Sequence, residues 1–249
     1  MSRPETLEVP VAPEPEFQIL GATGRRYAAT PALEFDVHVS EPGGRQVYAI
    51  ALSAQIMIEP ARRAYDAETR EKLVELFGAP ERWATTTRSL VWDQVDVLVP
   101  SFIGSTTFRV PVRCSFDMEV ASTKYLYGLP DGEVPLAFNF NGTVHYRGDD
   151  GRLQMSLVPW SCSAEFRFPV ATWSDLIEHY HPHTGWIALQ EGTLRALQRE
   201  KAERALPTLD ACVAELLGAV REDAGSARGG ASGAVREDAG SARGGAIGS

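Results

Sequence analysis

The chain has 249 residues, of which 44% are hydrophobic and 23% charged, so it can bury a substantial core and is not a disordered chain. Its formal net charge of −9 comes from interspersed acidic and basic residues, which argues against a nucleic-acid-binding or basic membrane-binding surface. No apolar run reaches the roughly 18 residues of a membrane span, and the first residues lack an apolar signal core, so we expect a cytoplasmic protein.

The two ends differ in composition from the rest of the chain. Residues 1–15 hold four of the sixteen prolines and are predicted to be a disordered arm. Residues 218–249 contain the run GAVREDAGSARGGA twice, at a period of 15 residues, and are predicted to be a disordered tail. The part between these ends, residues 16–217, is predicted to form a single globular domain.

Alternating apolar and polar residues predict strands through most of residues 16–168. At Leu33–Val39 four apolar residues alternate with polar ones, the period of two that is typical of a half-buried strand. Two further runs, Val134–Tyr146 and Leu153–Val158, flank the turn at 148–151 and form the clearest predicted hairpin. Because turns rather than helices join such neighbours, antiparallel pairing is favoured.

Two regions depart from the strand pattern. Asp66 as N-cap and Gly78 as C-terminal stop predict one helix inserted between strands. After the last strand, residues 172–217 are predicted to be a helical appendage whose first helix has Thr172 as its N-cap. The predicted helices span residues 66–77, 173–180, 191–206 and 208–217.

Three of the five histidines lie close together where the strands give way to helices, in the run His179-Tyr-His181-Pro-His183. Neutral imidazoles are common ligands of zinc, copper and nickel, so these three residues are candidate metal ligands. Alternatively, they mark the end of a surface helix, where the helix dipole favours positive charge. Three tryptophans near this junction are candidates either for a ligand pocket or for core packing: Trp160, Trp173 and Trp186.

Motifs of common enzyme classes are absent from the sequence. It contains no GxGxxG after a strand, no GxxxxGK[ST], no GxSxG and no HExxH. The cysteines at 114, 162 and 212 are far apart and form no CxxC pair, so neither a disulfide framework nor a zinc knuckle is expected. We therefore nominate no catalytic residue and no cofactor, and a non-enzymatic function is favoured.

Several longer runs together resemble an uncharacterised, mainly actinobacterial family, domain of unknown function 6084. The matching runs are IxIEPxRRxYD at 56–66, LVELFG at 73–78, PSFIGST at 100–106, AxxKYLYxLxDGExPL at 121–136, VPW at 158–160, and GWIAL and ALQREKAxRALPT further on. They cover residues 17–217. The family has no assigned activity, so the resemblance implies no mechanism. The chain is also similar to proteins encoded near actinobacterial nickel-iron hydrogenase genes, which implies an accessory role.

These patterns predict a β-dominated α+β fold, an antiparallel β-sandwich of about eight to ten strands with one inserted helix and C-terminal helices. A SecB-like arrangement of sheet and helices is the alternative. For function we expect a non-enzymatic binding or assembly module with a protein partner, in the service of a hydrogenase. The alternatives are a metal-dependent enzyme or metal carrier that uses His179, His181 and His183, and a small-ligand-binding sandwich.

Overall fold

The computed structural model describes residues 12–115, 117 and 120–218. The described residues form two compact units, one within residues 1–188 and the other within residues 189–249. The first unit consists mainly of strands. Its strands are β1 (Glu16–Gly24), β2 (Ala32–Ser40), β3 (Gln46–Ile58), β4 (Leu90–Val99), β5 (Phe102–Ile103), β6 (Ser105–Arg113), β7 (Glu133–Arg147), β8 (Leu153–Leu157) and β9 (Ser163–Pro169). Its α-helices are α1 (Ala67–Phe77), α2 (Trp83–Thr86), α3 (Ala121–Tyr127) and α4 (Val170–Tyr180).

The strands form two sheets. The first sheet has three strands, with β2 between β1 and β6, and both strand pairs are antiparallel. The alternation that predicted β2 turns its apolar side chains to one face, where all are fully buried: Leu33, Phe35, Val37 and Val39. Across the strand pair, Val110 of β6 lies opposite Phe35 and is fully buried as well. The sheet therefore presents one continuous apolar face.

The second sheet contains six strands in the order β4-β3-β7-β8, with β5 also paired to β3 and β9 to β7. The long strand β7 is its centre. β3 runs along one side of β7, while β9 pairs with the first part and β8 with the second part of the other side. The inward side chains of β7 include Phe138, Phe140 and Val144, all buried.

The apolar faces of the two sheets pack against each other. The ring of Phe35 in β2 lies with its centroid 5.1 Å from that of Phe138, 5.8 Å from Phe168 and 6.1 Å from both Trp92 and Phe166 in the other sheet. Burying one phenylalanine side chain stabilises a fold by roughly 1.5–3 kcal/mol, so this residue is a main link between the sheets. The predicted β-dominated α+β fold with antiparallel sheets is confirmed.

The helix α1 lies where its sequence signals predicted it. The Asp66 carboxylate accepts a hydrogen bond of 2.7 Å from the main-chain N–H of Thr69 at the first turn. At the other end Gly78 has φ of 76°, a left-handed conformation that glycine adopts without strain, and its N–H donates to Val74.

α3 is an additional helix inside the region predicted as strands. Its sequence, ASTKYLY, contains tyrosines and a threonine, which favour strands. Tertiary packing outweighs that preference, because Tyr125 and Leu126 are buried where α3 packs against α1.

α4 begins at Val170, not after Thr172. Pro169 occupies the N-cap position with φ of −66° and ψ of 124°, and its side chain makes no capping hydrogen bond to the described residues. Proline is well suited to this position because it has no N–H that would need a partner. The prediction that Thr172 is the N-cap is therefore wrong, and the helical segment begins two residues earlier than predicted. The buried face of α4 consists of Val170, Trp173, Leu176 and Ile177.

The second unit contains α5 (Glu191–Glu203) and a helix at 209–218. Thr208 Oγ1 accepts a hydrogen bond of 3.0 Å from the N–H of Ala211, so it caps the second helix. Cys212 is fully buried, and its thiol donates to the main-chain oxygen of Leu197 in α5.

Parts of the predicted domain organisation lie outside the described residues. This holds for residues 1–11 of the predicted disordered arm and for residues 219–249 of the predicted tail, including nearly all of its repeat. A single globular domain over residues 16–217 also stays a prediction.

Candidate functional site

The two arginines of the IxIEPxRRxYD run at 56–66 form hydrogen bonds with residues in or next to β7 and β9. Arg62 binds both carboxylate oxygens of Glu165 in β9 at 2.8 Å each. This pairing raises the pKa of the guanidinium and lowers that of the carboxyl group. Arg63 donates to two main-chain oxygens at the beginning of β7, at 2.6 and 3.0 Å. Both arginines therefore have structural partners.

The tyrosine of the same run is part of a partly buried chain of hydrogen bonds. Tyr65 donates to the main-chain oxygen of Pro60 at 2.8 Å, which leaves Tyr125 to donate to the Tyr65 hydroxyl, also at 2.8 Å. Burial raises the pKa of both phenols. Neither hydroxyl is suited to act as a base near neutral pH, and the run is best explained by its structural contacts.

His179 and His181 have different neighbours. His179 lies in the last turn of α4, and its Nε2 atom is 3.2 Å from the main-chain oxygen of Arg26. His181 is the C-cap of the helix, and its ring centroid is 6.0 Å from that of Trp186. The two imidazoles are therefore held by separate contacts.

His183 lies beside an acidic side chain. Its Nδ1 atom is 3.3 Å from Oε1 of Glu178, and its main-chain N–H donates to Oε2 at the same distance. Among the described residues, no group of three or more histidine, cysteine, aspartate or glutamate side chains is arranged to hold a metal ion. Metal binding by His179, His181 and His183 stays a prediction from the sequence.

A cavity of about 330 Å³ opens beside these histidines, between α3 and α4. Its lining includes the apolar side chains of Leu126, Trp173 and Ile177, and polar groups of Glu178 and His181. The volume falls at the lower end of the roughly 300–1,000 Å³ of small-molecule sites. The cavity is therefore large enough for a small organic molecule.

The wall of this cavity contains a hydroxyl group without a hydrogen-bond partner. Tyr127 packs edge to face against Trp173 with centroids 4.8 Å apart, and its buried Oη atom has no partner among the described residues. Burial and the nearby Glu178 carboxylate raise the pKa of this phenol, which keeps it protonated. The other two candidate tryptophans do not line the cavity, since Trp160 is 95% and Trp186 54% exposed.

The outward surface of the six-stranded sheet has a different character. At one end it carries five exposed aliphatic side chains, which we call the outer apolar face. These are Leu98 in β4 (71% exposed), Ile103 in β5 (66%), and Leu153 (62%), Met155 (67%) and Leu157 (77%) in β8.

The strand register explains why these side chains share one surface. Leu98 pairs with Ala51 of β3, Ala51 with Thr143 of β7, and Thr143 with Leu157 of β8. Directly paired residues project to the same side of a sheet. At about 4.8 Å per strand, Leu98 and Leu157 at the two ends of this row lie roughly 14 Å apart on the same surface of the sheet.

β8 has its apolar side turned to solvent. Its three apolar residues pair with Arg147, His145 and Thr143, which lie on the polar face of β7. Gln154 and Ser156 point inward instead and are half-buried. The Ser156 hydroxyl is buried without a partner in the described part of the chain. An exposed apolar surface of this kind typically marks a contact site.

The outer apolar face is not among the sites predicted from the sequence, although the sequence contains a signal for it. If the residues on either side of the turn at 148–151 are paired in order, Arg147 pairs with Leu153 and His145 with Met155. This pairing can be read from the sequence. It thereby places the apolar residues of β8 on the polar side of the hairpin.

Comparisons with solved structures find weak likenesses. A candidate late embryogenesis abundant (LEA) protein aligns with a TM-score of 0.30 and 13% identity over 63% of this chain and 72% of that one. The sporulation control protein Spo0M from Bacillus subtilis gives 0.25 and 11% over 76% and 56% of the two chains. A candidate ApaA protein from Bordetella pertussis gives 0.21 and 11% over 64% and 96%. These scores show neither a shared fold nor a function.

No curated protein matches the sequence. Within the described residues, none of the helices combines the length and hydrophobicity needed to cross a bilayer. One family model matches residues 12–225, which is most of the chain. The chain therefore belongs to the family of unknown function DUF6084.

Proposed function

We propose that this chain is a non-enzymatic binding or assembly module whose protein partner docks on the outer apolar face. The observation that carries the proposal is the outward orientation of β8, which exposes Leu153, Met155 and Leu157 beside Leu98 and Ile103. Proteins rarely leave several large apolar side chains exposed on one surface unless that surface binds something. The charged and polar residues of the remaining sheet surface would form the rim of this interface.

The size of the face sets the strength expected of the complex. Complete burial of an aliphatic side chain stabilises by roughly 1.5–3 kcal/mol, and the five side chains are 62–77% exposed. Their burial would contribute on the order of 5–10 kcal/mol, while association costs roughly 4–15 kcal/mol. The partner must therefore add apolar side chains and hydrogen bonds of its own, and it should present a complementary apolar surface.

We further propose that the partner belongs to the proteins of hydrogenase maturation or electron transfer. The resemblance to proteins encoded near nickel-iron hydrogenase genes supports this part of the proposal, and the outer apolar face supports the binding role itself.

The test is capture of the partner from the native host with tagged variants of the chain. The face variant is Leu98→Lys with Leu157→Lys, and the control is Leu20→Lys, because Leu20 is also an exposed strand leucine, 55% exposed, but lies in the other sheet. We expect a reproducible partner that the control retains and the face variant loses at least tenfold, by quantitative mass spectrometry. Absence of any reproducible partner, or equal loss in both variants, contradicts the proposal.

A second candidate function, binding of a small molecule, is favoured by the cavity between α3 and α4. The unpartnered Tyr127 hydroxyl would donate a hydrogen bond to a ligand that packs on Trp173. Ligand-observed NMR with a fragment library tests this on wild type and on Tyr127→Phe. We expect hits that Tyr127→Phe weakens, and a cavity that binds no fragment rules the candidate out.

A further inference from the structure

β8 is a sheet edge without the residues that usually protect an edge. Free edges tend to pair with other chains, and natural proteins counter this with charges, prolines or bulges. β4 carries Asp93 and Asp96, and β6 carries two arginines and Pro111. β8, with the sequence LQMSL, has no charge, proline or glycine. This difference suggests that pairing at the β8 edge is permitted.

The backbone groups on that edge are oriented for pairing. The N–H of Val158 donates to Gly142, and the N–H of Gly148 donates to Arg152, so the even-numbered residues of 152–158 direct their main-chain groups to β7. The odd-numbered residues, Leu153, Met155 and Leu157, then direct N–H and C=O away from β7. In the described part of the chain, β8 pairs with no strand other than β7.

We propose that β8 pairs in antiparallel fashion with β8 of a second copy of this chain, around a two-fold axis at Met155. The strand is self-complementary in this register. Leu153 lies opposite Leu157, Met155 opposite Met155, and Gln154 opposite Ser156. Symmetric dimers are the most frequent assemblies of identical chains, and each contact in such a dimer occurs twice.

Two features of the proposed contact between the two β8 strands support a second copy of this chain as the partner at this edge. Directly opposed Cβ atoms in antiparallel strands are about 4.5–5.5 Å apart, so the Gln154 amide of one copy can donate to the Ser156 hydroxyl of the other. That hydroxyl is buried and has no partner among the described residues. The contact between the two β8 strands also brings no like charges together, although each chain has a net charge of −9.

Trp160 enlarges the contact. It follows β8 closely and is 95% exposed, and the register places it beside the turn at 148–151 of the second copy. An aromatic side chain buries roughly 150–250 Å², so the two tryptophans contribute about 300–500 Å². Together with the two strand edges this approaches the low end of specific interfaces, about 1,200 Å² in total. We therefore expect a dimer that dissociates at micromolar concentrations.

The dimer does not depend on the proposed partner. It uses the edge of β8, whereas the partner uses the outer surface of the sheet, which remains accessible in the dimer. Pairing joins the two outer apolar faces into one strip across a continuous sheet, and the two proposals can therefore fail separately.

Cysteine cross-linking at the axis tests the register. In the proposed dimer the two Met155 Cα atoms lie about 5.5 Å apart, so a short bismaleimide can bridge cysteines placed at this position in the two copies. The full chain with Met155→Cys is treated with the bismaleimide and run on a denaturing gel. Leu98→Cys is the matched control, because Leu98 is on the same face and 71% exposed compared with 67% for Met155. We expect at least fivefold more cross-linked dimer from Met155→Cys. Equal yields, or no dimer from Met155→Cys, overturn the proposal.

Sedimentation equilibrium provides the second measurement. The wild-type mass should rise with concentration from 27.2 kDa toward twice that value. Met155→Pro should stay at the monomer mass with an unchanged circular dichroism spectrum, because the N–H lost at Met155 points away from β7. Leu98→Lys should dimerise like wild type even though it impairs partner capture. A wild-type chain that stays monomeric up to about 0.5 mM, far above micromolar dissociation, refutes the dimer.

Discussion

Replacement of Gly142 by alanine probes how closely the central strands of the six-stranded sheet approach. Gly142 lies in β7 opposite Leu52 of β3, and it has a φ of 149°. A Cβ atom at this position would lie 2.0 Å from the main-chain oxygen of Ala51. Close carbon–oxygen contacts in sheets are about 3.3 Å, so the strands would have to separate by roughly 1 Å.

Two costs add at this position. Forcing an additional carbon into a packed site costs about 1–3 kcal/mol, and a strained backbone conformation costs a further 1–3 kcal/mol or so. We expect Gly142→Ala to lower the free energy of unfolding by about 2–6 kcal/mol. For a chain of this size the melting temperature should fall by roughly 5–20 °C.

Thermal unfolding followed by circular dichroism is the assay, with urea unfolding as an independent check. The matched control is Gly21→Ala, which also lies in a strand, but apart from its chain neighbours no atom of the described residues lies within 4 Å of the added carbon. We expect the control to stay within about 1 kcal/mol of wild type, the usual size of a glycine-to-alanine effect. A Gly142→Ala chain that melts within 1–2 °C of wild type, or a control that loses as much, refutes the reasoning.

Other substitutions test the core, a helix cap, a thiol and the histidines. Phe35→Ala should lower the free energy of unfolding by about 3–5 kcal/mol in urea, because Phe35 links both sheets. Hydrogen bonds lower the pKa of the Asp66 carboxyl, so its stabilisation is complete above its ordinary pKa and is lost as the pH falls through the lowered value. Asp66→Ala should therefore destabilise at pH 7, and the difference from wild type should disappear in acid. Burial raises the pKa of the Cys114 thiol to about 12, so maleimide should label it at pH 7 only after unfolding. Metal analysis of the purified protein with His181→Ala and His183→Ala tests the metal carrier, and absent or unchanged metal refutes it.

Local patterns were sufficient for much of the fold. The alternation at Leu33–Val39 predicted β2, and the cap residues Asp66 and Gly78 predicted α1, because strand period and helix ends depend on residues close together in the sequence. α3 could not be predicted in this way. Its burial depends on contacts between residues far apart in the sequence, such as the hydrogen bond between Tyr65 and Tyr125, which are sixty positions apart.

The candidate interface was harder to predict than the fold. An alternating strand is usually assumed to bury its apolar side, whereas β8 exposes Leu153, Met155 and Leu157. Pairing with β7 determines which side faces outward, and a shift of one residue would reverse it. Conversely, the three clustered histidines are candidate metal ligands in the sequence, whereas in the structure His179 and His183 contact different residues.

The central claim is that the outer apolar face binds a protein partner. The most direct measurement is the affinity of the captured partner for wild type and for Leu98→Lys, which alters the face three strands away from the β8 edge. We predict that Leu98→Lys weakens binding at least tenfold, or about 1.4 kcal/mol, while Leu20→Lys in the other sheet leaves the affinity unchanged. Equal affinities of wild type and Leu98→Lys would contradict the account.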